Sequence, residues 1–294
     1  MSLQDNLNPF ASHTDPKRIP LPPFVTLPNC QTRFATNVVM SSSSPEEEDC
    51  VVAVKFYGPQ LSFCRPAQNN SEWINIYIED PCFSRSTVIF SKKDYMFRIY
   101  GINGLGCHVI GSWDLRQHKH TPKLQKLRYQ TFPELTEAEP ELLVSCNWTL
   151  HLVESRSTGE TFLVRWYKKV LGCLVFKIDE QGNAVYTQDI GDLCIFLSKS
   201  EPFCVPASSF PGLFPNSVYI YNFEEIGVVR LAQCFSTDLV FRFRFRSPFY
   251  VPPQNIDYVV NLCFLTRLCK HQNLFSYILY EIDMQKLVLS FTTT

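Results

Sequence analysis

Along most of this chain, short runs rich in Val, Ile, Phe and Tyr alternate with clusters of Gly, Pro, Asn, Asp and Ser. The runs are too short for helices, and their β-branched and aromatic side chains suit a pleated, half-buried surface. Convincing helical periodicity is nearly absent before residue 257, so the sequence points to an all-β fold. The clearest stretch contains Leu150 to Glu154, a turn at Ser157-Thr158-Gly159, Thr161 to Tyr167, Leu174 to Ile178, a turn at Asp179 to Asn183, and Ala184 to Gln188. Four strands and two tight turns within about 40 residues describe one antiparallel meander.

The same rhythm recurs on both sides. Upstream lie Cys50 to Phe56, the turn Tyr57-Gly58-Pro59, Gln60 to Cys64 and Trp73 to Ile78, then Thr87 to Phe90, Tyr95 to Tyr100 and His108 to Leu115. In the second set, Lys92-Lys93-Asp94 and Gly101 to Gly106 supply the turns. Downstream lie Leu193 to Leu197, Phe203 to Val205, Ser217 to Tyr221 and Gly227 to Leu231. Meanders repeated at about 40 to 45 residues are the signature of propeller blades. The expected architecture is therefore a β-propeller of four-stranded antiparallel blades between about Arg33 and Phe245. Trp73, Trp113 and Trp166 are expected on or beside strands.

Two regions break the rhythm. Residues 41–49 (Ser-Ser-Ser-Ser-Pro-Glu-Glu-Glu-Asp) form a polar, acidic loop with too little apolar content to pack. From about Asp257 the chain becomes an apolar tail, with a helix expected over Phe275 to Met284. In that tail Tyr258, Leu262, Leu265, Leu268 and Leu274 have a partly helical spacing, which Val259, Val260 and Phe264 blur. The expected division is a propeller domain over 1–256 and a separate tail over 257–294.

Composition narrows the classes of function. The 27 Lys and Arg against 28 Asp and Glu leave a net charge of -1, which gives no global field for a polyanion, so nucleic acid is not an expected partner. The 12 cysteines include no C-x-x-C pair, and several, Cys173, Cys194 and Cys263 among them, sit inside apolar runs as small hydrophobes. Reduced thiols and a cytoplasmic or nuclear location are expected. Met1 to Pro20 has neither the apolar core of a secretory signal nor the early Arg of a transit peptide. The sequons at Asn69 and Asn147 then have no enzyme to read them. No stretch reaches the roughly 18 apolar residues of a membrane helix.

The chemical motifs are weak. Gly101-Ile-Asn-Gly-Leu-Gly106 has a glycine spacing unlike that of a phosphate loop and no helix follows it, which favours a strand-connecting turn. His151 and Glu154 are three apart on a strand and face opposite sides, so they cannot share a metal. His118-Lys119-His120 lies in a basic stretch, Arg116 to Arg128 with Pro122, Lys123 and Lys126, offset by Glu134, Glu137, Glu139 and Glu141, and is expected to be a solvated loop. The alternation Phe241-Arg-Phe-Arg-Phe-Arg246 would bury Phe241, Phe243 and Phe245 and line the other face with Arg242, Arg244 and Arg246, either as a charge-protected edge or as a grip on anions. No nucleophile elbow, triad or carboxylate pair nominates a catalytic centre, so catalytic, cofactor and metal residues are all expected to be none.

Several segments carry a resemblance. Arg18-Ile19-Pro20-Leu21-Pro22-Pro23, Cys50 to Arg65 (CVVAVKFYGPQLSFCR), His151 to Tyr167 (HLVESRSTGETFLVRWY) and Val175 to Ile220 are similar to the plant F-box-associated β-propeller family, domain of unknown function 295. The similarity covers roughly residues 8 to 256 and is most specific from Asp189 to Pro215, with G-D-x-x-x-F-L, an F-x-V-P-A strand and an F-P-G-L-x-P-N turn. It resembles the mustard-family branch, some of whose members carry organellar transit peptides and no F-box, which makes an organelle the alternative location. The resemblance implies a propeller that binds proteins, in some members as a substrate receptor of cullin-type ubiquitin ligases. About seven residues precede Asn8 here, so an imperfect ring of about five blade-like units is expected, with the N-terminal blade cut short and one unit incomplete or closed by an out-of-sequence strand. Direct binding of a cullin-ligase adaptor is not expected. The expected function is non-enzymatic protein interaction with an unknown partner; a propeller hydrolase or lyase, or a truncated product with no stable role, are the alternatives.

Overall fold

The computed structural model describes residues 18–25, 27, 35–42, 46–68, 71–103, 105–114, 121–130, 147–167, 172–197, 201–210, 212–221, 226–233 and 237–241, with the backbone of short strands at 2–5, 249–250 and 287–290. Two strands open the chain, β1 (Ser2–Asp5) and β2 (Arg18–Pro20). Blade I holds β3 (Ala35–Met40), β4 (Val52–Phe56), β5 (Gln60–Cys64) and β6 (Ile74–Tyr77), in that spatial order. Blade II repeats the plan with β7 (Val88–Ser91), β8 (Met96–Ile102), β9 (His108–Trp113) and β10 (Lys123–Lys126).

After β11 (Arg128–Tyr129), blade III follows as β12 (Trp148–Glu154), β13 (Thr161–Tyr167), β14 (Gly172–Ile178) and β15 (Asn183–Thr187), and β11 adds to the outer edge of β15 in parallel. Blade IV comprises β16 (Leu193–Leu197), β17 (Phe203–Pro206), β18 (Ser217–Tyr221), β19 (Ile226–Arg230) and β20 (Thr237–Phe241). Finally β21 (Phe249–Tyr250) and β22 (Leu287–Ser290) join the first two strands in a terminal sheet of order β2-β1-β22-β21. The architecture is all-β, with blades that pack face to face as a β-propeller. No described helix is long and apolar enough to cross a membrane.

Side-chain alternation explains the packing. On β4, Val52 and Val54 enter a cluster with Leu21, Phe24 and Trp73, whereas Ala53 faces the opposite cluster shared with blade II. On β13, Leu163 packs toward Ile89 and Ile110 of blade II, while Phe162, Val164 and Trp166 pack toward Leu193, Ile195 and Val218 of blade IV. The strands β4, β5 and β7 are buried at every position, so both of their faces are covered, whereas β6 and β10 keep exposed residues. Trp113 closes β9 and Trp166 lies within β13, and Trp73 immediately precedes β6 and donates its indole N–H to the Pro22 carbonyl (2.9 Å).

Three expectations need correction. Blade IV is not a simple meander: its order is β17-β16-β18-β19-β20, and β16 runs parallel to β18. The chain turns back from β16 to pair β17 on one edge, then crosses over through residues 207–216 to place β18 on the other. Gly101 belongs to β8 and not to a turn. The turn Pro81–Phe83 presses so closely on it that a Cβ would lie 2.8 Å from the Cys82 carbonyl oxygen and from the Phe83 ring, so the strand needs glycine there. Lys123–Lys126, expected as loop, is a strand because it pairs with Val109 to Ser112 of β9. The helix expected over Phe275 to Met284 lies outside the described residues.

Candidate functional site

The innermost strand of a propeller blade has one edge with no neighbouring strand, and its N–H groups still need partners. Along β7 and just past its end these groups recur at Val88, Phe90 and Lys92, alternate residues whose N–H bonds point the same way. Side chains from three other parts of the ring receive them. Val88 donates to Asn37 Oδ1 of β3 (2.9 Å), and Asn37 Nδ2 returns a bond to the Val88 carbonyl (2.7 Å), so one amide stands in for a strand. Phe90 donates to Glu201 Oε1 (3.0 Å), just ahead of β17. Lys92 donates to Glu154 Oε1 at the end of β12 (3.0 Å), and Lys93 adds a longer bond (3.4 Å).

All three capping residues are buried, Asn37 completely and Glu201 at 3% exposure. Their oxygens occupy the free edge at and just past β7. Around the seam, Arg98 Nη1 of β8 lies 3.7 Å from Glu154 Oε2 and also pairs with Asp94. Ser155 pairs with Cys204 in a parallel bridge, which ties the end of β12 to β17.

The electrostatics are mixed. Burial pushes the Glu201 carboxyl up to about 7, against the lowering influence of Arg156 and the Phe90 N–H, and Glu154 raises it further. Lys92 is lowered, first by desolvation and then by the positive charge of Arg156, while Glu201 and Glu47 draw it back. Glu47, Lys92 and Arg156 belong to the loops that follow the inner strands β3, β7 and β12, so these loops gather at one end of the axis. Among the described residues, no group of three or more His, Cys, Asp or Glu side chains is placed to hold a metal ion.

A second polar cluster joins blades II and III nearer the rim. His108 Nδ1 contacts the Tyr100 hydroxyl and lies 3.0 Å from that of Tyr129, which the short strand β11 delivers. Burial, helped by the charge of Arg165, holds the imidazole pKa down to about 4. Tyr100 and Tyr129 are both raised, chiefly by burial. Nδ1 of His108 sits within hydrogen-bonding reach of both tyrosine hydroxyls, and an edge-on relay of rings runs from His108 to Tyr129, from Tyr129 to Phe176 and from Phe176 to Tyr186.

The residues singled out by sequence fall into separate places. His151 and Glu154 share β12 but do not converge: His151 Nε2 meets Thr149 Oγ1 (3.0 Å), and Glu154 reaches the β7–β8 turn. Cys173 and Cys194 are buried, and burial raises both thiols. Lys123 and Lys126 are exposed on β10, whereas His118, Lys119, His120 and the four glutamates from Glu134 to Glu141 lie outside the described residues. So do Arg242 to Arg246 and Cys263. Sequence reasoning missed Asn37 and Glu201, whose only signal is a polar residue beside an apolar run.

A profile of the KIB1-4 β-propeller matches residues 1–241. The chain belongs to the KIB1-4 β-propeller family. The match ends at Phe241, the last residue of β20, so the four described blades of this KIB1-4 propeller lie within it. No curated protein matches the chain.

Proposed function

We propose that this KIB1-4 propeller is a non-enzymatic protein-interaction module, of the kind its F-box-associated resemblance implies, and that it binds a protein partner at the axial end where β3, β7 and β12 finish. The observation that carries this reading is Tyr95. It ends the β7–β8 turn with φ 59°, a left-handed conformation that hairpins of this length usually give to Gly or Asn. Its side chain is 59% exposed and meets Phe90 edge-on (centroids 6.1 Å apart). A bulky side chain kept in such a conformation costs stability, on the order of 1 kcal/mol, and such costs gather at sites of recognition.

The carboxylates near the axis support the same reading, because Glu154 and Glu201 each already cap a backbone N–H. The test is affinity purification from native tissue with the tagged wild type and Tyr95→Gly. The expected result is one protein partner retained in near-stoichiometric amount by the wild type and lost by the variant, whose melting temperature is unchanged or higher. Recovery of cullin-ligase subunits would place the chain among ligase receptors. A partner held equally by the variant, or turnover of a small substrate by the purified protein, would overturn the proposal.

A further inference from the structure

Glu201 stands where two blades meet across the axis. It immediately precedes the segment entering β17 of blade IV, yet its Oε1 accepts the N–H of Phe90 on blade II, 111 residues away in sequence. Its other oxygen, Oε2, is buried and has no hydrogen-bond partner among the described residues. The charged groups around it are Lys92 from the β7–β8 turn, Glu154 from the end of β12 and Arg156 from the β12–β13 turn. None of them gives Oε2 a hydrogen bond, so an ionised carboxylate keeps one oxygen uncompensated in a dry site, while a proton on that oxygen removes the charge. The Phe90 N–H bond to Oε1 is compatible with both forms.

We propose that Glu201 is a proton-dependent latch, which when protonated holds the segment entering blade IV against the inner edge of blade II and when ionised lets that contact open. The hinge is set by geometry. Cys204, three residues on, stays bridged to Ser155, so opening releases residues 201–203 from β7 without detaching β17 from blade III. The neighbouring cap, Glu154 on Lys92, is the built-in reference: its second oxygen likewise lacks a hydrogen bond, but the Arg98 guanidinium lies 3.7 Å from it and balances its charge.

The direction follows from linkage. Once opened into solvent Glu201 titrates near its ordinary value of 4.5, and closed it titrates at about 7, so the closed form binds the proton more tightly. Opening is therefore suppressed at low pH and rises between these values, by about tenfold from pH 6 to pH 8. Amide hydrogen exchange by NMR tests this on the intact chain, with each rate divided by its intrinsic value at that pH. The expected result is that Phe90 loses about tenfold protection from pH 6 to pH 8 while Lys92 keeps its own. In Glu201→Gln, a neutral isostere that retains the acceptor, Phe90 protection should no longer depend on pH. Equal Phe90 protection at both pH values, a parallel loss at Lys92, or a tenfold change surviving in the variant would each overturn the proposal. Should the variant fail to fold, the wild-type contrast between the two amides decides alone.

Discussion

The two edges of blade II are made from opposite materials. The inner strand β7, Val-Ile-Phe-Ser, is buried at every position, and its free N–H groups are capped by an amide and two carboxylates from other blades. The outer strand β10, Lys-Leu-Gln-Lys, is largely exposed, with Leu124 at 55%. Both edges face the same requirement, that backbone polar groups find partners. Water serves the outer edge, whereas the inner edge must draw its partners from elsewhere in the chain. The inner edge therefore ties β7 to the three other blades, whereas the outer strand reaches only its neighbour blade III, where Gln125 Nε2 donates to the Glu180 carbonyl (3.1 Å).

The sharpest way to break this contrast is Asn37→Ala. It leaves the buried N–H and carbonyl of Val88 without their partner, and the expected loss is about 3 kcal/mol in chemical denaturation. A loss below about 1 kcal/mol would show that the inner edge relaxes or admits water. Gly111→Ala comes next, because its Cβ would lie 2.8 Å from the Trp113 ring, and the expected cost of overpacking is about 2 kcal/mol on thermal or chemical melting.

A pH series separates the axial seam from the cluster nearer the rim. Glu201 has a raised folded-state pKa, so its contribution to stability is full below the ordinary glutamate value and is lost as pH rises toward about 7. His108 has a lowered one, so its contribution is full above the ordinary histidine value of 6.5 and is lost as pH falls toward about 4. The two trends oppose each other in the wild type. Glu201→Gln should unmask a stability that falls steadily as the solution is acidified from pH 7 to pH 4, and His108→Gln should leave the reverse slope. Melting temperatures across that range check both. The smallest effect belongs to the outer edge: Leu124→Ser should change stability by less than about 0.5 kcal/mol. A larger loss would mean that β10 is covered by something in solution.

Much of the strand map was legible beforehand. Gln60–Cys64, Thr161–Tyr167, Leu193–Leu197 and Ser217–Tyr221 fall where the apolar runs and turn residues place them. The turn at Asp179–Asn183 forms as its composition suggests, with Asp179 Oδ1 accepting the N–H groups of Gln181 (2.9 Å) and Asn183 (2.8 Å). What escaped was β10, whose charged sequence has little strand propensity of its own, and the crossing that sets β16 parallel to β18. The candidate site was illegible too, since a lone Asn in Thr-Asn-Val-Val or a lone Glu before Pro-Phe-Cys carries no motif.

The sequence by itself determined the all-β class, the spacing of the meanders and the turns between them, because alternation and turn chemistry act over a few neighbouring residues. Only the tertiary structure decided which side chains serve the inner edge of β7. Its partners Asn37 and Glu201 lie 51 and 111 residues from the groups they hold, and no local pattern encodes that pairing. The physical reason is that a buried N–H must be satisfied wherever the fold leaves it, and its partner is whichever polar side chain the packing of the blades brings within reach.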